Sequence, residues 1–177
     1  MGNGIKILLD FAALVGIYYH FFFKKWTSAG KDKLLVNTLL YIYISFVIYF
    51  TLMPVLASLP FIFDHPYAPM HLLPFDDYLS GRGDAERQIL LNVLMMVPFG
   101  FLLPVLRKQN LWSCALWTFL FSLGIELLQP LINQSRSSDI TDLITNTIGG
   151  TIGYVFYRLF RPLVETGLKK FREKSEK

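Results

Sequence analysis

The sequence predicts an all-α integral membrane protein built as one bundle of about five transmembrane helices. Of the 177 residues, 53% are hydrophobic, and the mean hydropathy is +0.43. The apolar residues are concentrated in several separate runs, each near the ~20 residues that a helix needs to cross a bilayer. A soluble domain of this length does not carry several such runs. Residues 1–177 are therefore predicted to form a single membrane domain.

Five apolar runs are the predicted spans, and they lie at residues 5–23, 34–53, 88–106, 111–128 and 140–160. The first run lacks a small-residue cleavage site, so it is predicted to be a retained span rather than a signal peptide. Pro98 and Pro104 lie inside the third run. Proline removes a backbone donor, so we expect this helix to kink and its freed carbonyl groups to find partners on neighbouring helices.

Lysine and arginine residues set the predicted orientation. Most of the 17 basic residues lie in three segments, 24–33, 107–110 and 158–177. The positive-inside rule places these segments in the cytoplasm. The amino terminus is thus predicted outside the cell and the carboxyl terminus inside, with residues 161–177 as a basic cytoplasmic tail. The basic residues of the tail either only fix the orientation of the protein in the membrane or belong to an amphipathic helix that lies on anionic lipid headgroups.

The composition also excludes several classes of function. The net charge of +4 is divided among short connections, which argues against nucleic acid as a partner. Cys114 is the single cysteine, so an internal disulfide and a cysteine metal cluster are excluded. The sequence has no phosphate-binding loop of the P-loop type, which excludes a coupled ATPase within this chain. No cofactor and no resident metal are predicted.

Asp139, Asp142 and Asn146 open the fifth apolar run, and their spacing places them on one face of the predicted helix. A carboxylate inside hydrocarbon costs about 2.5–3.5 kcal/mol, so such groups normally face a protein interior or a wet cavity. Simpler roles remain open, with Asp139 as a helix cap and Asp142 as a first-turn acid that complements the helix dipole. Three glycines, Gly149, Gly150 and Gly153, continue along the same face of the helix and form a glycine stripe. Such a stripe favours close packing of another helix.

Polar side chains from three predicted spans lie at the same depth in the outer leaflet. At about 1.5 Å per helical residue, Asp142 and Asn146 lie ~5 Å and ~10 Å below Asp139. Arg136, in the short connection before the fifth span, is placed above them by this topology. The sequence therefore predicts an outward-facing polar pocket that binds a ligand, formed by Asn92, Glu126, Gln129, Arg136, Asp139, Asp142 and Asn146.

Several of these residues have alternative interpretations. Glu126 lies at the carboxyl end of a helix, where the dipole disfavours negative charge, so we expect it to be protonated or paired with a cation such as Arg136. Asn92 and Asn146 are candidates for interhelical hydrogen bonds worth roughly 0.6 kcal/mol each. Asp10, near the outer end of the first span, either joins the pocket or is a solvated edge residue.

Four segments of the sequence resemble the VanZ-like family of bacterial membrane proteins. They are LLPF at 72–75, NVLMMVPFGFLLP at 92–104, IELLQ at 125–129 and SDITDLITNTIGG at 138–150. Together they mark residues 72–157 as the core of the predicted domain. The resemblance implies a multi-pass protein of the bacterial cell membrane, from a family whose archetype lowers susceptibility to the lipoglycopeptide teicoplanin. It implies no established reaction, and it carries over every residue of the predicted pocket except Arg136, which rests on topology alone.

Three functional hypotheses remain open. The preferred hypothesis is non-enzymatic, because apolar helix faces beside a polar site suit an amphiphile. The ligand is then a membrane lipid or a lipid-linked envelope precursor, and a lipoglycopeptide is a further candidate. The second is an intramembrane enzyme, with Glu126 and Asp142 as acid and base or with Mg²⁺ or Ca²⁺ held by hard oxygen ligands. The third is an accessory subunit that docks another membrane protein. The sequence leaves the oligomeric state undetermined.

Overall fold

A computed structural model describes residues 2–133 and 136–175, which form helices and connections without a β-strand. A π-helical stretch, Tyr18–Phe23, joins the helices Asn3–Ile17 and Lys24–Ser28, so Asn3–Ser28 is one continuous helix. The long connection that follows the helix Lys31–Thr51 contains a short 3₁₀ turn at Leu59–Phe61. The helices are α1 Asn3–Ile17, α2 Lys24–Ser28, α3 Lys31–Thr51, α4 Asp76–Leu79, α5 Ala85–Leu106, α6 Leu111–Ile132 and α7 Ile140–Ser175.

Four helices in the described ranges are long and apolar enough to cross a membrane, and they are Asn3–Ser28, Lys31–Thr51, Ala85–Leu106 and Leu111–Ile132. They correspond to the first four predicted spans. Residues 140–160 are also helical, as expected, but α7 is not one of these four. Asp142 and Asn146, with several threonines and glycines, lower the hydropathy of this segment.

The predicted tail does not form a separate element. Helix α7 continues without interruption through Pro162 to Ser175. Arg172, near its end, forms an ion pair with Asp32 at the start of α3. Residues 176–177 of the predicted tail lie outside the described residues. The tail is thus a helical extension of α7 that is attached to the beginning of α3.

Glycines let α7 lie directly on the backbone of α5. A Cβ atom added to Gly149 would fall 2.2 Å from the Val93 carbonyl oxygen, and one added to Gly153 would fall 2.0 Å from the Val97 carbonyl oxygen. Real Cβ atoms do not approach oxygen so closely, so only glycine fits at these two positions. Because residue numbers increase together along both helices, α5 and α7 run in the same direction. The close packing predicted from the glycine stripe is confirmed.

Helix α6 packs against α7 in the opposite direction. The Asn146 amide Nδ2 donates a hydrogen bond to Ser122 Oγ at 2.8 Å. One turn further along α7, a Cβ on Gly150 would fall 2.2 Å from Thr118 Oγ1. Asp139, before α7 begins, contacts Glu126 near the end of α6. In this antiparallel register, the first half of α7 lies alongside the apolar helix α6.

The hydrophobic core lies between α3, α5 and α6, where Val47, Met96, Phe99 and Ile125 are buried. The Phe99 ring stacks on Phe121 with 4.8 Å between ring centroids. Tight packing of this kind fixes the relative positions of the three helices. The polar side chains that α5 and α6 carry are thereby held at constant positions.

Helix α5 continues through both of its internal prolines. Pro104 cannot donate to the carbonyl group four residues earlier, which belongs to Gly100. The Cys114 thiol of α6 lies 3.6 Å from that oxygen and takes the place of the missing donor. This contact confirms the expectation that a neighbouring helix satisfies a carbonyl group freed by proline.

Asp10 has a structural role that differs from both sequence interpretations. It is 3% exposed, so it is not a solvated edge residue. Its two carboxylate oxygens accept hydrogen bonds from the backbone N–H groups of Val55 and Leu56, at 2.6 and 2.9 Å. These amides lie outside α3, so the Asp10 carboxylate supplies the acceptors that buried N–H groups require. Asp10 therefore joins the first helix to the start of the long connection.

Candidate functional site

The residues predicted to form the pocket lie around Glu126, whose backbone and side chain both contact the segment that precedes α7. Pro130 has no N–H group to donate to the Glu126 carbonyl oxygen within α6. Ser138 Oγ donates to that oxygen instead, at 2.5 Å. The Asp139 backbone N–H donates to the Glu126 carboxylate Oε2 at 2.9 Å. With Glu126 2% exposed and Ser138 fully buried, this double attachment fixes where α7 begins.

Asp139 caps the start of α7, as one of its sequence interpretations proposed. Its Oδ1 accepts a hydrogen bond from the Thr141 backbone N–H at 2.7 Å. This N-cap geometry satisfies a donor that has no partner within the helix. The other carboxylate oxygen, Oδ2, remains on the open side, and the side chain is 27% exposed. Capping therefore uses only one oxygen of this carboxylate.

The long connection between α3 and α5 folds onto the start of α7 through a short parallel β-bridge between His71 and Asp139. The His71 N–H donates to the Ser138 carbonyl oxygen at 2.8 Å, and the Ile140 N–H donates to the His71 carbonyl oxygen at 3.0 Å. Four residues later, the Phe75 N–H donates to Thr141 Oγ1 at 2.9 Å. Residues 71–75 thus form one wall of the site.

The His71 side chain lies between two carboxylates. Its Nδ1 is 3.9 Å from Asp139 Oδ2, and its Nε2 is 3.8 Å from Asp76 Oδ2, with 42% of the side chain exposed. Arg82 also forms an ion pair with Asp76, and its Nε lies 3.2 Å from Asp77 Oδ1. His71 is not among the residues that the sequence predicted for the pocket. Its position directly before the LLPF segment was the available signal.

The structure brings five of the seven predicted residues together. The Asn92 side chain of α5 lies within reach of the Asp142 carboxyl group of α7. Glu126 interacts electrostatically with Asp139, Asp142 and the exposed Arg136. We refer to Glu126, Asp139 and Asp142 as the carboxylate cluster. Three helices therefore meet at one polar region, as the equal depths of these residues predicted.

Gln129 and Asn146 are also buried, but their amide groups have other partners. Gln129 Nε2 donates to the Thr51 carbonyl oxygen at the end of α3, at 3.4 Å. Asn146 bonds to Ser122 of α6, which matches its interpretation as an interhelical hydrogen bond. Within the described part of the chain its Oδ1 has no hydrogen-bond partner. Gln129 thus links α6 to α3, and Asn146 leaves one buried acceptor unused.

The residues of the site do not form a metal centre of the usual kind. Across residues 2–133 and 136–175, no group of three or more His, Cys, Asp and Glu side chains is arranged to hold a metal ion. The hypothesis that Asp139, Asp142 and Asn146 bind Mg²⁺ or Ca²⁺ is therefore not supported. The arrangement is instead rich in hydrogen-bond acceptors at the end of three packed helices.

Comparison with known proteins identifies the family. A family model described as VanZ/LLP1 matches residues 11–161. The chain belongs to the VanZ/LLP1 family. "Protein VanZ" from Enterococcus faecium is 31% identical over 128 residues, which cover 72% of this chain and 76% of that relative. No solved structure matches the chain.

Membership of the VanZ/LLP1 family confirms the resemblance that the sequence segments indicated. The matched range contains the whole carboxylate cluster, together with His71 and Asn92. Together with the four apolar helices, it identifies this chain as a membrane protein. The site therefore lies in the part of the chain that the family shares.

Proposed function

We propose that this VanZ/LLP1 protein is a multi-pass protein of the bacterial cell membrane that lowers susceptibility to teicoplanin-type lipoglycopeptides. In this proposal, the carboxylate cluster binds the polar headgroup of a membrane lipid or lipid-linked envelope precursor at the outer surface. The observation that carries the proposal is the buried Glu126 carboxylate, bonded to the Asp139 backbone and adjacent to Asp142. Carboxyl groups at this depth are expensive to keep, and such residues commonly mark ligand sites.

The chemistry of the site favours a headgroup with many hydrogen-bond donors. Asp139 Oδ2, which faces His71, and the partly exposed Asp142 offer acceptors, and so does the Oδ1 of Asn146 deeper in the bundle. Sugar hydroxyls, peptide N–H groups and ammonium groups all donate to such acceptors. Envelope precursors carry these donors on an amphiphilic carrier, which suits a site at the edge of a helix bundle.

An apolar groove next to the site supports an amphiphilic ligand. It has a volume of about 510 Å³ and is lined mainly by Pro74, Phe75, Tyr78, Leu79 and Ile89. The Phe75 backbone bonds to Thr141, one residue before Asp142, so the groove adjoins the carboxylate cluster. A headgroup in the cluster leaves its hydrocarbon chain free to lie in this groove. Grooves of this size commonly hold small apolar ligands.

The proposed orientation places the site outside the cell. Lys33, Arg107 and Arg172 come from the three basic segments of the sequence, and all three surround one cavity at the far end of the bundle. The positive-inside rule assigns that end to the cytoplasm. Because α7 lies along α5 and α6, residues 140–160 act as a fifth span in this proposal. The carboxylate cluster then faces the outer leaflet.

Replacing Glu126 with glutamine tests the proposal. The exchange keeps an oxygen that can accept from the Asp139 N–H, but it turns the second acceptor into a donor. One charge-assisted hydrogen bond contributes about 1.5–3 kcal/mol, so we expect headgroup binding to weaken about tenfold or more. The measurements are the teicoplanin susceptibility of cells expressing each variant and mass spectrometry of lipids that co-purify with the protein.

The matched control is Glu173→Gln, which makes the same exchange on the exposed end of α7. Partial loss of protection and loss of one co-purified lipid in Glu126→Gln alone would support the proposal. Unchanged protection in Glu126→Gln and Asp142→Asn at normal expression would assign the cluster a purely structural role. Complete loss with accumulation of a lipid-linked substrate would indicate a catalytic site instead of a binding site.

A further inference from the structure

A second cavity lies at the opposite end of the bundle from the carboxylate cluster. Its volume is about 680 Å³, and its walls come from the start of α3, the end of α5, the first half of α6 and the extension of α7. Leu40, Leu103 and Trp117 supply part of its apolar wall. Trp117 remains 48% exposed, although it belongs to a helix long and apolar enough to span the membrane. The cavity therefore has an apolar interior accessible to hydrocarbon.

The rim of the cavity carries an excess of positive charge. Among the described residues, its lining includes four basic residues, Lys33, Arg107, Lys169 and Arg172, and two acidic residues, Asp32 and Glu165. Asp32 is already paired with Arg172, and Glu165 is paired with Arg161, which does not line the cavity. Both acidic side chains of the lining therefore already form ion pairs.

Two of the rim cations, Lys33 and Arg107, have no carboxylate partner in the part of the chain that the structure describes. Across residues 2–133 and 136–175, neither Lys33 nor Arg107 lies within ion-pair distance of an acidic group. Both side chains are exposed. An unpaired lysine and arginine above an apolar cavity present a complementary surface to a molecule with a phosphate group at one end and hydrocarbon at the other.

We propose that this cavity binds one anionic phospholipid of the cytoplasmic leaflet, with its phosphate group between Lys33 and Arg107. Its acyl chains lie against the apolar wall around Leu40, Leu103 and Trp117. A soluble anion gains nothing from that wall, whereas a lipid buries hydrocarbon against it. Basic pockets between membrane helices on the cytoplasmic side are typical sites for acidic headgroups. The bound lipid connects the α7 extension to the bundle in addition to the Arg172–Asp32 ion pair.

Paired charge removal tests this site in the full-length protein. Lys33→Gln with Arg107→Gln removes both unpaired cations and leaves the Arg172–Asp32 ion pair in place. The probes are nanodiscs or vesicles of phosphatidylglycerol, with phosphatidylcholine as the neutral comparison. Each substitution removes a charge-assisted hydrogen bond to the phosphate group, so we expect affinity for phosphatidylglycerol to fall about tenfold or more.

The matched control is Lys24→Gln with Lys108→Gln, which removes the same charge from exposed positions outside the cavity lining. Equal losses in both pairs would overturn the proposal in favour of general surface attraction. Displacement of the lipid by inorganic phosphate or glycerol phosphate would show a soluble-anion site instead. Absence of binding to phosphatidylglycerol by the unmodified protein would also overturn it. If the double variant does not fold, Arg107→Gln alone is compared with Lys108→Gln.

Discussion

Single side chains explain why the carboxylate cluster has its present geometry. Pro130 removes the donor for the Glu126 carbonyl group, and Ser138 replaces it from a different segment of the chain. The same group of contacts positions Asp139, because its backbone N–H bonds to the Glu126 side chain. A proline within a helix thus creates the acceptor that holds the next helix in place.

Ser138→Ala is expected to destabilise the protein. Without the hydroxyl group, the buried Glu126 carbonyl oxygen loses its partner, and an unsatisfied buried acceptor costs about 1–3 kcal/mol. The measurement is thermal unfolding of the purified protein in detergent. Ser137→Ala is the control, since Ser137 is the exposed neighbour in the same segment. Equal midpoints for the two variants would show that the Ser138 hydrogen bond contributes nothing to stability.

Several polar residues that the sequence grouped together do lie close to one another, but their individual contacts were not predicted. Equal depth along predicted helices correctly grouped Asn92, Glu126 and Asp142. Depth does not specify the direction of a side chain around a helix, so it did not separate Gln129, which bonds to α3. His71 was missed because its placement depends on how a long connection folds back, which local patterns do not encode.

Helix packing depends on a few glycines whose neighbours are backbone atoms. Gly149 and Gly153 face carbonyl oxygens of α5, while Gly100 of α5 approaches Gly150 of α7. The resulting contact brings Asp142 of α7 within hydrogen-bonding reach of Asn92 of α5. The glycine stripe predicted a close contact, but the sequence did not identify α5 as the partner helix.

Gly153→Ala and Gly167→Ala are expected to have opposite effects on stability. A Cβ at Gly153 meets the Val97 carbonyl oxygen, and overpacking of this kind costs about 1–3 kcal/mol or more. Gly167 lies in the same helix with nothing within 4 Å of the added atom. Alanine is favoured over glycine in a helix by about 1 kcal/mol, so Gly167→Ala is expected to stabilise.

Thermal unfolding of the two variants in the same detergent provides the measurement. A lower midpoint for Gly153→Ala and a higher midpoint for Gly167→Ala, each against the unmodified protein, is the expected outcome. If Gly153→Ala raised the midpoint as much as Gly167→Ala, the direct contact between α5 and α7 would be contradicted.

Over the whole molecule, the two ends of the bundle differ in charge. The carboxylate cluster lies at one end with His71 and Asp76, and the basic cavity lies at the other. The ion pair between Arg172 and Asp32 joins two basic segments that are far apart in the sequence. This separation of charge supports the proposed orientation, because cytoplasmic segments of membrane proteins are enriched in basic residues.

Reporter fusions test the orientation. A fluorescent protein fused after Lys177 is expected to fold and fluoresce, because the proposal places this end in the cytoplasm. Alkaline phosphatase inserted into the exposed turn at 80–84 is expected to be active, because that turn faces outward. Phosphatase activity from a fusion after Lys177 would contradict the orientation and would place the carboxylate cluster on the inner side.

The sequence by itself determined the class of the protein, its apolar helices, its family and the approximate membership of the polar site. These properties depend on composition and on spacing along one helix, which are local. Only the tertiary structure decided that α7 packs on α5, that Asp10 holds the connection after α3, and that His71 faces Asp139. These contacts join residues distant in the chain, and their geometry depends on packing that no single segment specifies.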